Sequence, residues 1–123
     1  SMFINLSNHP LSTWDELQTS DAQQYGQCID LAFPDVDPEG DECYINKLAS
    51  DYTRQVCYIL QQSEDSIHVV HVMGELNLTY ALVCELSKRG ITCVASTSNR
   101  TIKEIAKGKK EVFFSFKRFR KYI

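Results

Sequence analysis

The sequence predicts an α/β fold, an open and mostly parallel sheet with helices on both faces and a C-terminal β-hairpin. Three observations predict it. Short β-rich apolar runs alternate with longer stretches of helical periodicity, in the order β-α-β-α-β-α-β. Residues 67–73, IHVVHVM, are almost continuously apolar, as a parallel strand covered on both faces would be. Beyond residue 100 two further β-rich arms flank Lys107-Gly108-Lys109, a turn signal.

Taken in order, residues 2–6 (MFINL) read as a buried strand and Ser7-Asn8-His9-Pro10 as a turn. Ser12 and Thr13 can then cap a helix, Thr13 and Glu16 having capping-box spacing, and that helix should run to Tyr25 and stop at Gly26. Residues 27–32 (QCIDLA) follow as a strand. Pro34 and Pro38 keep 33–38 out of helix. From Gly40 onward Ile45, Leu48, Ala49, Tyr52, Val56, Ile59 and Leu60 form one apolar stripe on a long helix. After strand 67–73 a helix over about 77–89 turns Leu78, Ala81, Leu82 and Leu86 inward and ends at Lys88-Arg89-Gly90, with cations in its last turn and glycine beyond it. Residues 91–95 read as a strand, 96–100 as a polar loop, and 101–106 with 110–120 as the arms of the hairpin. This is a Rossmann-like order, and a single domain is expected over residues 1–123.

Composition limits the function classes. Of 123 residues 43% are hydrophobic and 24% charged, and no apolar run approaches the roughly 20 residues that span a bilayer. No signal peptide is evident, so a cytoplasmic protein without membrane partners is expected. Cys28, Cys43, Cys57, Cys84 and Cys93 are odd in number and contain no C-x-x-C pair, so they read as free and mostly buried thiols. The net charge of −3 hides an asymmetry: residues 1–75 carry 2 Lys/Arg against 13 Asp/Glu, and residues 76–123 carry 11 against 3. A long nucleic acid would meet the acidic part, whereas a local anion site in the last third fits. The acidic stretch Asp35, Asp37, Glu39, Asp41 and Glu42 lacks metal-ligand spacing.

In open α/β sheets ligands bind beyond the carboxyl ends of the strands. Three predicted loops lie there. Loop 7–12 offers Ser7, Asn8, His9 and Ser12, and an imidazole, with an ordinary pKa of about 6.5, can move a proton at neutral pH. His68 and His71, in a strand, read as partly buried and satisfied. Loop 74–79 opens a helix with Gly74, Glu75, Asn77 and Thr79, where backbone N–H groups can cradle a phosphate and Gly74 admits a close approach. Glu75 is an awkward neighbour for phosphate there. No dinucleotide-binding or P-loop glycine pattern is present. Loop 96–100 supplies Thr97, Ser98, Asn99 and Arg100, the last a two-pronged phosphate donor. In the final arm Phe114 and Phe116 alternate with Phe113 and Ser115, and Lys117, Arg118, Arg120 and Lys121 interleave with Phe119 and Tyr122, which suits either nucleotide stacking or a charged, protected sheet edge.

Three phrases together resemble the small stand-alone CRISPR-associated ring nucleases, relatives of the CRISPR-associated Rossmann-fold (CARF) sensor domains. They are INLSNHPLSTWDELQ, MGELNLTYALVCELSKRGITCVASTSNR and the closing FSFKRFRKY. The resemblance implies a CARF-like fold and a homodimer. It also implies metal-independent cleavage of cyclic oligoadenylate, most often cyclic tetra-adenylate, which switches off type III CRISPR signalling. A ribose 2′-hydroxyl would attack its adjacent phosphate, and the protein would supply alignment and charge stabilisation without a cofactor. Mapped by position, the catalytic residues would be His9 (general acid or base), Arg100 (phosphate clamp) and Thr79. The ring would be held by Ser7, Asn8, Gly74, Glu75, Asn77, Thr97 and Ser98, with Arg118 and Arg120 as secondary contacts set by hairpin register. The same grip without catalysis would make a cyclic-nucleotide sensor or sponge, and a basic arm docking on an acidic protein is the third reading.

Overall fold

The computed structural model describes residues 1–64 and 67–122. Strands β1 (Met2–Ser7), β2 (Gln27–Ala32), β3 (His68–Met73), β4 (Thr92–Ala106) and β5 (Lys109–Lys121) form one sheet in the order β2-β1-β3-β4-β5. The first four are parallel to their neighbours, and β5 runs antiparallel to β4. Helices α1 (Glu16–Gln23), α2 (Glu42–Gln61) and α3 (Leu76–Lys88) connect them. No helix is long and apolar enough to cross a membrane among the described residues.

Period-two alternation divides the core. Met2, Ile4 and Leu6 of β1 and Val70 and Val72 of β3 meet the apolar stripes of α2 (Ala49, Val56, Leu60) and α3 (Leu78, Leu82, Leu86). Phe3 and Val69 face the other way and pack with Val94, Phe116, Phe119 and Ala22 of α1. β1 is buried at every position because both of its faces are covered, which explains its unbroken apolar character.

Two start signals differ from the expectation. Ser12 and Thr13 cap nothing. Leu11–Thr13 form a single 3-10 turn, and Asp15 caps α1 by accepting from the Gln18 N–H at 2.8 Å. Asp41 does the same for α2, accepting from the Tyr44 N–H at 3.0 Å. At the other end of α3, Gly90 takes the left-handed conformation that ends the helix (φ +73°).

The largest correction concerns 96–100. These residues are not a loop, because β4 runs unbroken for 15 residues, and the expected fourth strand and first arm are one element. β4 pairs along its backbone with β3 only through Thr92, Cys93 and Val94, and from Ser96 onward the strand it pairs with among the described residues is β5. The two strands therefore leave the sheet as a twisted ribbon joined by Lys107-Gly108.

A bulge in β5 decides which ribbon residues reach the core. Thr97 pairs with Arg118 and Ser98 with Phe116, so Lys117 is the extra residue. Phe116 and Phe119 are three apart and would otherwise point to opposite faces. The inserted residue turns both toward α1, where each is 6% exposed and their ring centroids lie 4.8 Å apart.

Candidate functional site

Strand order reverses between β1 and β3, so the crevice at their carboxyl ends is the place where such sheets take ligands. A buried polar chain runs through this point, and its members are levelled by register. Asp30, Asn5 and His71 are each the fourth residue of their strand and pair in adjacent positions. The Asn5 amide nitrogen lies 2.9 Å from Asp30 Oδ1 and 2.8 Å from the His9 carbonyl, both acceptors only. That fixes the amide orientation. Asn5 Oδ1 then accepts from the Ser7 hydroxyl (2.7 Å) and from His71 Nδ1 (2.9 Å), so the imidazole carries its proton on Nδ1. Nε2 is left with a lone pair, and the Ser96 hydroxyl donates to it at 2.6 Å. Gln18 of α1 donates to Ser96 Oγ at 3.0 Å.

His71 is 2% exposed and boxed by aromatic rings. Phe3 stacks on it at 6.2 Å, while Trp14 at 5.2 Å and Phe119 at 5.6 Å meet it edge-on. Burial, helped by the nearby His9, lowers its pKa from 6.5 to about 4. The ring is thus neutral at physiological pH.

The expected loop residues separate into those held internally and those presented to solvent. The Ser7 hydroxyl is buried and occupied with Asn5 and the His9 backbone, so it holds the loop instead of facing a ligand. Asn8 and His9 are exposed, and the His9 carbonyl also accepts from Trp14 Nε1 at 3.0 Å, which pins the backbone under a solvent-facing imidazole. At the start of α3 the cradle is partly filled by its own side chains. Glu75 caps the Asn77 N–H, and Thr79 Oγ1 accepts from the Gly74 N–H at 3.1 Å. Gly74 has a packing reason: a Cβ there would lie 2.5 Å from the Phe33 ring, which is buried at 7% exposure. Gly74→Ala should therefore destabilise the fold by about 1–3 kcal/mol through overpacking, read as a lower urea midpoint.

On the ribbon, the Thr97 hydroxyl donates to the Arg118 carbonyl (3.0 Å) and accepts from the Arg118 N–H (3.1 Å), which occupies it at the bulge. Arg118 Nε bonds the Phe119 carbonyl at 3.2 Å. Ser98, Arg100 and Arg120 are exposed. Arg100 pairs with Phe114, four residues beyond Ser96, and so stands roughly 13 Å further along the strand. Within one chain the structure brings His9, His71 and Ser96 together and keeps Arg100 apart.

A family model described as the uncharacterized protein MJ1673 family matches residues 1–120. The chain belongs to that family. No curated protein matches it. No solved structure matches it.

A concavity of about 720 Å³ in this MJ1673-family chain lies elsewhere, between α2 and α3. Asp41, Glu42 and Glu85 line it against Lys88 alone, so it would repel a phosphodiester. No group of three or more metal-ligating side chains occurs among the described residues. The five cysteines are free as expected but not mostly buried: Cys93 alone is buried, Cys43 is exposed and the other three lie between; burial pushes the Cys93 thiol up to about 11, where it behaves as a small apolar group. Sequence reasoning missed Asn5, Gln18, Asp30 and Ser96 and assigned His71 no chemistry. The available signal was a polar residue at the fourth position of three strands of otherwise apolar inward pattern.

Proposed function

We propose that the protein binds a cyclic oligoadenylate, cyclic tetra-adenylate in the first instance, and opens it by attack of a ribose 2′-hydroxyl on the adjacent phosphate, switching off type III CRISPR signalling. In this reading the sheet is a CARF-like version of the Rossmann-like arrangement, the ribbon is its C-terminal hairpin, and the working unit is a cytoplasmic homodimer with the ring across its two-fold. One observation carries it. A basic, aromatic ribbon rises from the carboxyl edge of the sheet, beside the switch point where an exposed His9 lies near a buried and neutral His71.

Residues 98–121 hold nine Lys/Arg against Glu104 and Glu111. They also expose Phe113 (43%) and Phe114 (68%), with Lys103 Nζ 5.5 Å over the Phe113 ring. Cations that hold phosphates beside aromatic faces that stack bases suit an oligonucleotide. A projecting ribbon has little stability alone, so a ring or a second protomer against it would also stabilise it. Symmetry brings two ribbons and two His9 loops to one ligand, which answers the separation of Arg100 from His9 within a chain. His9 protonates the leaving 5′-oxygen, Asn8 and Ser98 donate hydrogen bonds, and Arg100 and Arg120 hold phosphates.

The test is incubation with cyclic tri-, tetra- and hexa-adenylate in excess EDTA, with products separated by chromatography. The expected outcome is linear oligoadenylate ending in a 2′,3′-cyclic phosphate at substoichiometric protein. His9→Ala should slow it by about 10²–10⁴. Arg100→Ala should weaken ring binding and flatten its salt dependence. Tight binding with the ring intact would make the protein a sensor or sponge, and the absence of both binding and cleavage would refute the reading.

A further inference from the structure

The geometry assigns Ser96 as a catalytic hydroxyl, with His71 as its base and Asn5 as the group that orients that base. The assignment rests on the ring-cleavage reading for its substrate. The hydroxyl's activation is a property of this chain alone.

A nucleophile or proton carrier is recognised by a hydroxyl within hydrogen-bond reach of a base that a third group orients. Here Ser96 Oγ lies 2.6 Å from His71 Nε2, and His71 Nδ1 lies 2.9 Å from Asn5 Oδ1. The tautomer is forced, because Asn5 can offer only its oxygen to His71 while its nitrogen serves Asp30 and the His9 carbonyl. Such a hydroxyl–imidazole–amide line matches the roles of catalytic triads on unrelated folds. Ser96 stands at the level of Met73, the last residue of β3, and its backbone N–H meets Met73 Sδ at 3.2 Å. It is half-buried, whereas His71 is sealed under Phe3, Trp14 and Phe119. A ligand at the switch point can touch the serine but not the imidazole. His71 is therefore a positioning residue and proton acceptor acting through Ser96.

The step balances as follows. The ribose 2′-hydroxyl gives its proton to Ser96 Oγ as Ser96 passes its own to His71 Nε2. The O2′–P bond forms and the P–O5′ bond breaks. The leaving 5′-oxygen takes a proton from His9; His71 then returns its proton through Ser96, and His9 recovers its own from water. Because burial keeps His71 neutral at physiological pH, its Nε2 lone pair is free in every resting molecule and holds the proton only in passing.

Two measurements on the intact protein test this. The first is labelling with diisopropyl fluorophosphate, in which Ser96 Oγ bonds phosphorus, fluoride leaves and the serine proton goes to His71. Peptide mass spectrometry should place the label on Ser96 and leave Ser98, exposed on the same strand, unlabelled. The label should be lost in His71→Gln. The second is ring cleavage by Ser96→Ala, expected to lower kcat about 100-fold or more with KM within twofold, and by Ser96→Thr, which restores a hydroxyl and part of the rate. If His71→Gln fails to fold by circular dichroism, Ser96→Ala and Ser96→Thr decide alone. No label on Ser96 in the wild type, or a label indifferent to a folded His71→Gln, overturns the assignment. Wild-type cleavage by Ser96→Ala overturns it too and leaves ring cleavage standing. His71-dependent labelling in a protein that opens no ring upholds the activated serine and removes the ring reading.

Discussion

Deleting Lys117 and Arg118 together should cost the protein about 3 kcal/mol, although deleting Lys117 alone should cost far less. The Lys117 side chain is exposed and Lys117 is the extra residue of the bulge, so its loss leaves Phe116 and Phe119 two apart on a regular ladder, both still facing α1. Loss of Arg118 as well makes the two phenylalanines neighbours on β5, and they cannot both face α1. The chain has two ways to resolve the conflict. Turning over the segment after the bulge would expel Phe119, take Tyr122 from its place against the α2/α3 core, and break the 2.6 Å bond from its hydroxyl to the Val72 carbonyl. Turning over the projecting arm would expel Phe116 alone, since residues 109–115 are already exposed on both faces. The second route is cheaper, so the expected loss is that of one buried phenylalanine, about 3–5 kcal/mol for truncation to alanine and near the low end where the ring stays partly covered. Urea unfolding of the double deletion, of Phe116→Ala and of the combined variant checks this. The combined variant should be no less stable than the double deletion, because both remove the same ring. Equal stability of the double deletion and the wild type would mean that the ribbon repacks with the two rings adjacent.

Much of the parallel body was legible because local and global signals agree there. The strand ends at residues 32 and 73, the stripe from Ile45 to Leu60 and the Gly90 stop all fall where period, propensity and caps predict them. The misplaced loop at 96–100 has an equally physical cause. Ser96-Thr97-Ser98-Asn99-Arg100 is polar throughout, and polar runs read as loops because a strand usually has one face to bury. Here the strand has left the sheet and buries neither face beyond Thr97. The start of α1 was misread because Thr13, Asp15 and Glu16 all carry capping signals; Thr13 is taken up in the 3-10 turn, and Asp15 is the residue that accepts from the Gln18 N–H.

The site was harder to read, because its parts are scattered over four strands and one helix. Asp30, Asn5 and His71 look unrelated until register aligns them, and Ser96 joins only through β4. Composition made the basic half of the chain visible. The buried polar chain lay hidden in strands whose polar residues resemble ordinary interruptions. A polar residue at the same position of adjacent parallel strands is the rule this chain suggests. Burial makes an unmatched polar group costly, so neighbours at one level must satisfy each other or the strands would not pair there.

The same burial makes His71 an acid-sensitive point of the fold, the second large effect expected. Unfolded, its imidazole titrates at about 6.5; folded, its pKa is lowered to about 4, first by desolvation and then by the proximity of His9. Between these values the unfolded chain binds a proton that the folded chain refuses, so stability rises with pH across the window. Above about 6.5 the stability is intact. Falling pH erodes it at up to about 1.4 kcal/mol per unit, for a total of about 3 kcal/mol by pH 4. Protonation would put a second proton on Nε2, where Ser96 now donates, and would leave a charge enclosed by Phe3, Trp14 and Phe119. His71→Gln removes the titration. Its urea midpoint should be lower than the wild type's at pH 7.5, where the aromatic box loses its imidazole, yet the gap should narrow steadily as pH falls from 6.5 to 4. Groups remote from His71 titrate equally in both proteins and cancel, and repeating the comparison in a His9→Gln background removes the coupled histidine. A gap that stays constant across that range would show that the folded imidazole takes up a proton as readily as the unfolded one, and that the aromatic box does not shield it.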